Sequence, residues 1–270
     1  MYSKWQLARK YCNYYLTSSN GKGHGTHSPF IFHFITHVLN DKKDYPEYDT
    51  VERLRSELLK DETVLTIEDF GAGSSLDKAN KKTVSVIAKN SAKPKKFGQL
   101  LFRMVKEYQP QTILELGTSL GITTSYLSLG KPTAKLVTME GAGEVAAVAS
   151  TNFQKLGVEN IGIEQGNFDN TLSAVIQALS EVEGSSVDFC FVDGNHRQEP
   201  TERYFLEILP KTNNDSILIF DDIHWSREME AAWTTIKNHP SVRCTIDLFF
   251  IGIVFFREEF HEKQHFTIRF

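Results

Sequence analysis

From Gln111 onward, short apolar runs alternate with segments whose apolar residues recur every three or four positions, the pattern of a parallel sheet covered by helices. Seven runs read as strands: 112–116, 135–140, 160–164, 187–192, 216–220, 242–248 and 250–256. Between them, Val145, Val148, Ala149, Phe153 and Leu156 share one helix face, as do Leu172, Val175, Ile176 and Leu179, and again Met229, Ala232, Trp233 and Ile236. Very few residues separate the last two runs, too few for a crossover helix, so these two form an antiparallel hairpin. The expected fold class is α/β, a doubly wound, seven-stranded, mostly parallel sheet with an antiparallel last strand.

The first 110 residues follow a different pattern. Helical periodicity runs over 5–16, 29–39, 51–59 and 97–108, joined by polar segments, which predicts an N-terminal helical cap or substrate region (1–110) on the sheet domain (111–270). Ser28 before Pro29 suits a helix start, since the hydroxyl can accept from an otherwise unbonded N–H and proline is tolerated at the first helical position. Gly21, Gly23 and Gly25 upstream mark a connection.

Two glycine-rich turns compete for a cofactor. A nucleoside site at a first βα turn needs a strand before it, a helix after it, and an acidic residue closing the next strand. Glu115, Gly117, Thr118, Ser119 and Gly121 meet these conditions, with Glu140 ending the following run where its carboxylate can accept both hydroxyls of a ribose. The second turn, 69–75, is followed by Asp77 and then Lys78, Lys81 and Lys82, with no second apolar run closed by an acid, and is assigned to the cap. The spacing at 117–121 is not the GxGxxG of a pyrophosphate site, and Glu115 would repel a diphosphate. A positively charged ligand is favoured instead.

Asp193 follows the run 187–192, and Asp221 with Asp222 follows 216–220, so three carboxylates converge at the carboxyl edge of neighbouring strands. Gathered like charges repel, and a hard divalent cation such as Mg²⁺ relieves this. The competing reading has Asp193 touching the cofactor alone and Asp221 or Asp222 capping the next helix.

Over 111 to about 257 the chain resembles the class I S-adenosylmethionine-dependent methyltransferases. The resemblance rests on Glu115 to Gly121, Glu140, Gly166-Asn167-Phe168, 191–196 and 220–225. It implies the Rossmann-like methyltransferase fold and S-adenosylmethionine as cofactor, with Gly117 and its neighbours along the methionine part and Glu140 on the ribose. Asn167 and Phe168 would flank the adenine, although Phe168 could equally be a core aromatic. Asp193, Asp221 and Asp222 match the metal positions of the cation-dependent small-molecule O-methyltransferases. Where the catechol enzymes carry a lysine, three residues past the first Asp, this chain has His196. An imidazole there could act as general base, or could simply start a helix or support another ligand. His224 is a weaker candidate for the same task.

Composition narrows the partners. A net charge of -4 offers no global attraction to nucleic acid, so a small-molecule acceptor is expected, with no nucleic-acid or membrane partner and with a homodimer possible. Cys12, Cys190 and Cys244 stand apart with no CxxC pair, and no apolar stretch has the length of a signal or a membrane span, which predicts a cytoplasmic protein. Seven lysines between Lys78 and Lys96 could steer an anionic substrate, and Tyr11, Tyr14, Tyr15, Phe30, Phe32 and Phe34 could line an acceptor pocket or simply pack. An oxidoreductase of the NAD type, a non-catalytic binding protein and a metal-independent methyltransferase remain the alternatives.

Overall fold

The computed structural model describes residues 1–19, 21–23, 28–67, 80–91, 93–180 and 186–270. The chain falls into two compact units, residues 1–41 with 179–270, and residues 42–178. The turn 69–75, Gly25 and Lys78 lie outside the described residues.

Helix α1 (Lys4–Thr17) opens with a reciprocal cap, in which the Ser3 hydroxyl accepts from the Gln6 N–H at 3.3 Å and the Gln6 side chain accepts from the Ser3 N–H at 2.8 Å. Helix α2 (Pro29–His33) begins as its sequence predicts, with the Ser28 hydroxyl accepting from Ile31 N–H, and continues as a π-helical turn over Phe34–Leu39.

In the unit 42–178, α3 (Pro46–Leu58) precedes an antiparallel hairpin of β1 (Val64–Ile67) and β2 (Asn80–Thr83). Helices α4 (Val84–Ser91) and α5 (Lys95–Tyr108) follow. The hairpin departs from the all-helical expectation for the first 110 residues. Its four-residue strands are too short to display a period, and the β2 sequence Asn-Lys-Lys-Thr has no apolar residue to signal it. Then come β3 (Thr112–Leu116), α6 (Ile122–Gly130), β4 (Lys135–Glu140), α7 (Gly143–Leu156), β5 (Ile161–Gln165) and α8 (Phe168–Ser180). The three strands are parallel in the order β3-β4-β5. Val51, Leu54, Leu58, Leu65, Ile87, Phe102, Tyr126 and Val145 form one apolar cluster here.

The other unit holds β6 (Phe189–Val192), α9 (Gln198–Ile208), β7 (Ile217–Asp221), α10 (Arg227–Asn238), β8 (Cys244–Asp247), β9 (Ile251–Phe255) and β10 (Gln264–Thr267), with strand order β10-β8-β9-β7-β6. Strands β6 and β7 are parallel, and β9 runs against both β7 and β8. β9 is the last of the seven expected strands, and its antiparallel course agrees with the pattern. An eighth strand, β10, pairs parallel with β8 at the edge. Its alternately exposed Gln-His-Phe-Thr has only one large apolar residue and escapes a hydrophobic search. Met229, Ala232, Trp233 and Ile236 are all buried on α10, as their spacing requires. Among the described residues no helix is long and apolar enough to cross a membrane.

Candidate active site

The loop after β3 is shaped by backbone that glycine alone adopts readily. Gly117 and Gly121 have φ of 108° and 81°, and between them Ser119 takes a left-handed φ of 49°. The N–H groups of Gly117 and Thr118 both donate to the Met139 carbonyl at 3.0 Å, which ties the loop to β4. Gly121 is the N-cap of α6, and no side chain caps that helix start. A β-carbon at Gly121 would lie 2.5 Å from Phe153 Cε1, so the loop can pack against α7 only with glycine there.

Glu140 closes β4. Its Oε2 accepts from the Ser119 N–H at 2.8 Å and its Oε1 from the Ala142 N–H at 3.0 Å. Burial pushes its pKa up, against the opposing pull of N–H donors from Ala142, Ser119 and Gly141. A carboxylate has about four acceptor positions, so one oriented by two backbone donors retains capacity for a pair of ligand hydroxyls. This acceptor therefore fits a ribose.

Glu115 sits differently from a ligand-facing acid. It is 0% exposed, and its Oε2 accepts from the hydroxyls of Thr124 at 2.5 Å and Thr138 at 2.6 Å. Thr118 Oγ1 lies 2.6 Å from Thr138 Oγ1 and extends the same buried chain. The visible role of Glu115 is to bind α6 to β4 beneath the loop. Thr124 and Thr138 were not singled out by sequence, since a hydroxyl inside an apolar run has no periodic signature.

Gly166 has φ of 147°, and its N–H donates to the Glu140 carbonyl at 2.9 Å. The Asn167 side chain accepts from Asp169 N–H at 3.0 Å and starts α8. Phe168 is partly exposed and absent from the core.

In the unit 1–41 with 179–270, the ends of β6 and β7 carry the second cluster. One ligand atom from each of Asp193, His196 and Asp221 lies within 4.8 Å of the others, and Asp221 is 1% exposed. His196 Nε2 is 3.6 Å from Asp193 Oδ1. Two carboxylates and an imidazole form a donor set that suits a divalent cation. Asp222 does not belong to this group of three. Three residues at these strand ends hold left-handed backbone, Asn195 at 65°, His196 at 36° and Asp222 at 52°, and strain of this kind concentrates at functional sites. Asn195 Nδ2 donates to the Tyr204 hydroxyl at 3.1 Å, steadying the turn.

His224 is committed elsewhere. Its Nε2 lies 2.8 Å from Asp247 Oδ2 and its Nδ1 3.0 Å from Glu230 Oε1, so neither nitrogen is free to take a substrate proton. Burial lowers its pKa, but Asp247 and Glu230 outweigh burial and raise it overall. Glu230 also accepts from the Tyr2 hydroxyl at 2.6 Å and from Lys10 Nζ at 2.9 Å. Residues so far apart in sequence give no local motif.

Residues 114–223 match the family model of a methyltransferase domain. No curated protein matches the chain. Solved structures similar to it include a methyltransferase from Podospora anserina bound to S-adenosylhomocysteine, with 14% identity over 81% of this chain and 99% of that one and a TM-score of 0.53. Another is an O-methyltransferase from Bacillus cereus in complex with the same molecule, with 16% identity, 84% and 97% coverage and a TM-score of 0.54. A third is the O-methyltransferase TomG from Streptomyces achromogenes, involved in tomaymycin synthesis and solved with S-adenosylmethionine, with 14% identity, 80% and 91% coverage and a TM-score of 0.55. The chain thus has the Rossmann-like methyltransferase fold, and the match to the methyltransferase-domain model falls within it, over residues 114–223.

Proposed function

We propose that this protein transfers a methyl group from S-adenosylmethionine to an oxygen of a small molecule, with a divalent cation assisting. The single observation that carries the reading is Glu140, a largely buried carboxylate aimed by the N–H groups of Ser119 and Ala142 at the end of β4. When bound, the cofactor supplies an electrophilic methyl on a sulfonium, and the cation lowers the pKa of a coordinated hydroxyl.

The chain's own residues do the rest. Glu140 accepts the ribose hydroxyls, while Gly117, Thr118, Ser119 and Gly121 provide a backbone cradle and Asn167 and Phe168 border the adenine. Glu115 keeps that cradle in shape through Thr124 and Thr138. Asp193 and Asp221 would hold the cation; Asp222 is kept as a third carboxylate only from its place in the sequence, and Asp193 is also assigned to the cofactor on that ground. With the cation held by the carboxylates, His196 is left out of its coordination and takes the acceptor's hydroxyl proton at Nε2. Catalysis is then mostly positioning. Acceptor choice is assigned to residues 1–110, and the working environment to the cytoplasm.

Calorimetry with S-adenosylhomocysteine, followed by methyl transfer to a panel of catechols and other vicinal diols with and without chelator, tests this. Binding together with chelator-sensitive transfer is expected. Full activity in chelator would remove the cation and leave a metal-independent methyltransferase; no heat with S-adenosylhomocysteine would end the reading.

A further inference from the structure

Residues 1–40 include Lys4, Arg9, Lys10 and Lys22 and not one carboxylate, in a chain whose net charge is -4. The expectation of no membrane partner, drawn from the lack of an apolar stretch of spanning length, does not bear on surface attachment by this segment.

Helix α1 is pinned along one face. Tyr11 meets Phe249 edge-on at 5.1 Å, Tyr14 lies 5.3 Å from Phe249 and donates to the Ile268 carbonyl, and Lys10 reaches Glu230. Among the described residues the opposite face is exposed. Trp5 is 87% and Leu16 77% exposed, with exposed Cys12 between them at helical spacings that bring all three into one line. Arg9 stands along this line and Lys4 beside it, both exposed. Tyr15, 51% exposed, carries the Arg269 guanidinium 4.7 Å above its ring, and half-exposed Phe250 lies 5.8 Å from Tyr11. Single exposed apolar side chains are ordinary, but several on one face with a cationic rim are not.

We infer that this face of α1 binds an anionic phospholipid surface. Trp5 and Leu16 enter the boundary between headgroups and acyl chains, and Lys4, Arg9 and Arg269 meet lipid phosphates. The helix is already formed and docked, so binding requires no folding. A second copy of this face fits worse, since a two-fold interface would set Lys4 and Arg9 against the same cations with no acid from residues 1–40 to answer them. Nucleic acid would engage the charges and stack on Trp5 but leave Leu16 without a partner.

Sedimentation of the wild-type chain with vesicles of phosphatidylcholine, alone or mixed with phosphatidylglycerol, tests the inference. Binding only to the mixed vesicles is expected, weakened by salt and accompanied by a blue shift of tryptophan emission. Trp233 is buried and Trp225 partly so, and loss of that shift in Trp5→Ala, with both of them retained, assigns it to the exposed Trp5 indole. Trp5→Ala should weaken binding about tenfold and Arg9→Glu roughly thirtyfold, both at wild-type melting temperature. Absence of vesicle binding, or equal binding to both vesicle types, overturns it. So does a concentration-dependent dimer that Trp5→Ala dissolves without vesicle binding, or capture by duplex DNA in place of vesicles.

Discussion

Glu140 Oε2 stands 2.8 Å from the backbone nitrogen of Ser119, a residue held at a left-handed φ of 49°, so an unusual turn conformation serves to aim a carboxylate. Replacing that carboxylate removes the aimed acceptor, the hydrogen bond from the Ser119 N–H that adds to the loop's hold on β4, and the local one from the Ala142 N–H. Glu140→Ala should therefore weaken S-adenosylhomocysteine binding by about 10- to 100-fold, as hydrogen bonds to charged groups are worth roughly 1.5–3 kcal/mol. Glu140→Gln should fall between, because an amide can accept at one atom only. Unchanged titration heats for both variants would sink the assignment.

Asp221 tests the other cluster. It is enclosed, in reach of both Asp193 and His196, and Asp221→Asn keeps its shape while removing its charge. Mn²⁺ affinity, followed by paramagnetic broadening of water resonance, should drop by more than roughly tenfold, while S-adenosylhomocysteine affinity stays within about twofold. Equal Mn²⁺ binding by the variant and the wild type would show that no ion is held here.

His196 can be tested through turnover. His196→Asn should lower kcat by about 10²- to 10⁴-fold with little change in KM for the acceptor, the mark of a group that acts on the proton rather than on binding. An equal rise in KM with kcat preserved would make it a binding residue.

The sheet was readable in the chain because its strands are apolar runs between helices of clear period; 112–116 and 135–140 coincide with β3 and β4 to the residue. Glu140 and Asp193 were readable for the same reason, since each ends such a run. Strand β10 and the β1-β2 hairpin were not, because short polar strands are specified by pairing rather than by pattern. Glu115 illustrates a different limit. Its residue type and place in the motif suggest an outward charge, and only the packed structure shows two threonine hydroxyls enclosing it. His224 was visible as a loop histidine, but its partners Glu230 and Asp247 lie in other elements, so its engagement depends on the fold.

The His224 cluster makes a pH prediction. Asp247 and Glu230 raise its folded-state pKa against burial, so protonation is favoured in the folded chain. The stabilisation is fully present below the unfolded value near 6.5 and disappears as pH rises through the higher folded value. Glu230 is shifted the other way: burial raises its pKa, but Tyr2, Lys10 and His224 outweigh that and lower it. Its contribution is present above the unfolded carboxylate range and lost as pH falls. The melting temperature should therefore decline from pH 6 toward pH 9, and His224→Gln should flatten that decline. An unaltered slope in the variant would place the pH sensitivity elsewhere.

Gly121 offers the most local test of the cofactor loop. Its φ of 81° disfavours any L side chain, and an added β-carbon would meet Phe153 at 2.5 Å and 2.8 Å, a ring fixed in the α7 face and 5% exposed. Gly121→Ala should cost about 1–3 kcal/mol of stability, seen as a lowered urea midpoint at constant slope. Because α6 begins at this residue, S-adenosylhomocysteine affinity should fall as well. Trimming the ring in Gly121→Ala/Phe153→Leu should recover part of the stability, leaving only the backbone strain. If the double variant is no more stable than the two single losses added together, the two side chains do not meet as described, and the loop must be held against α7 by other contacts.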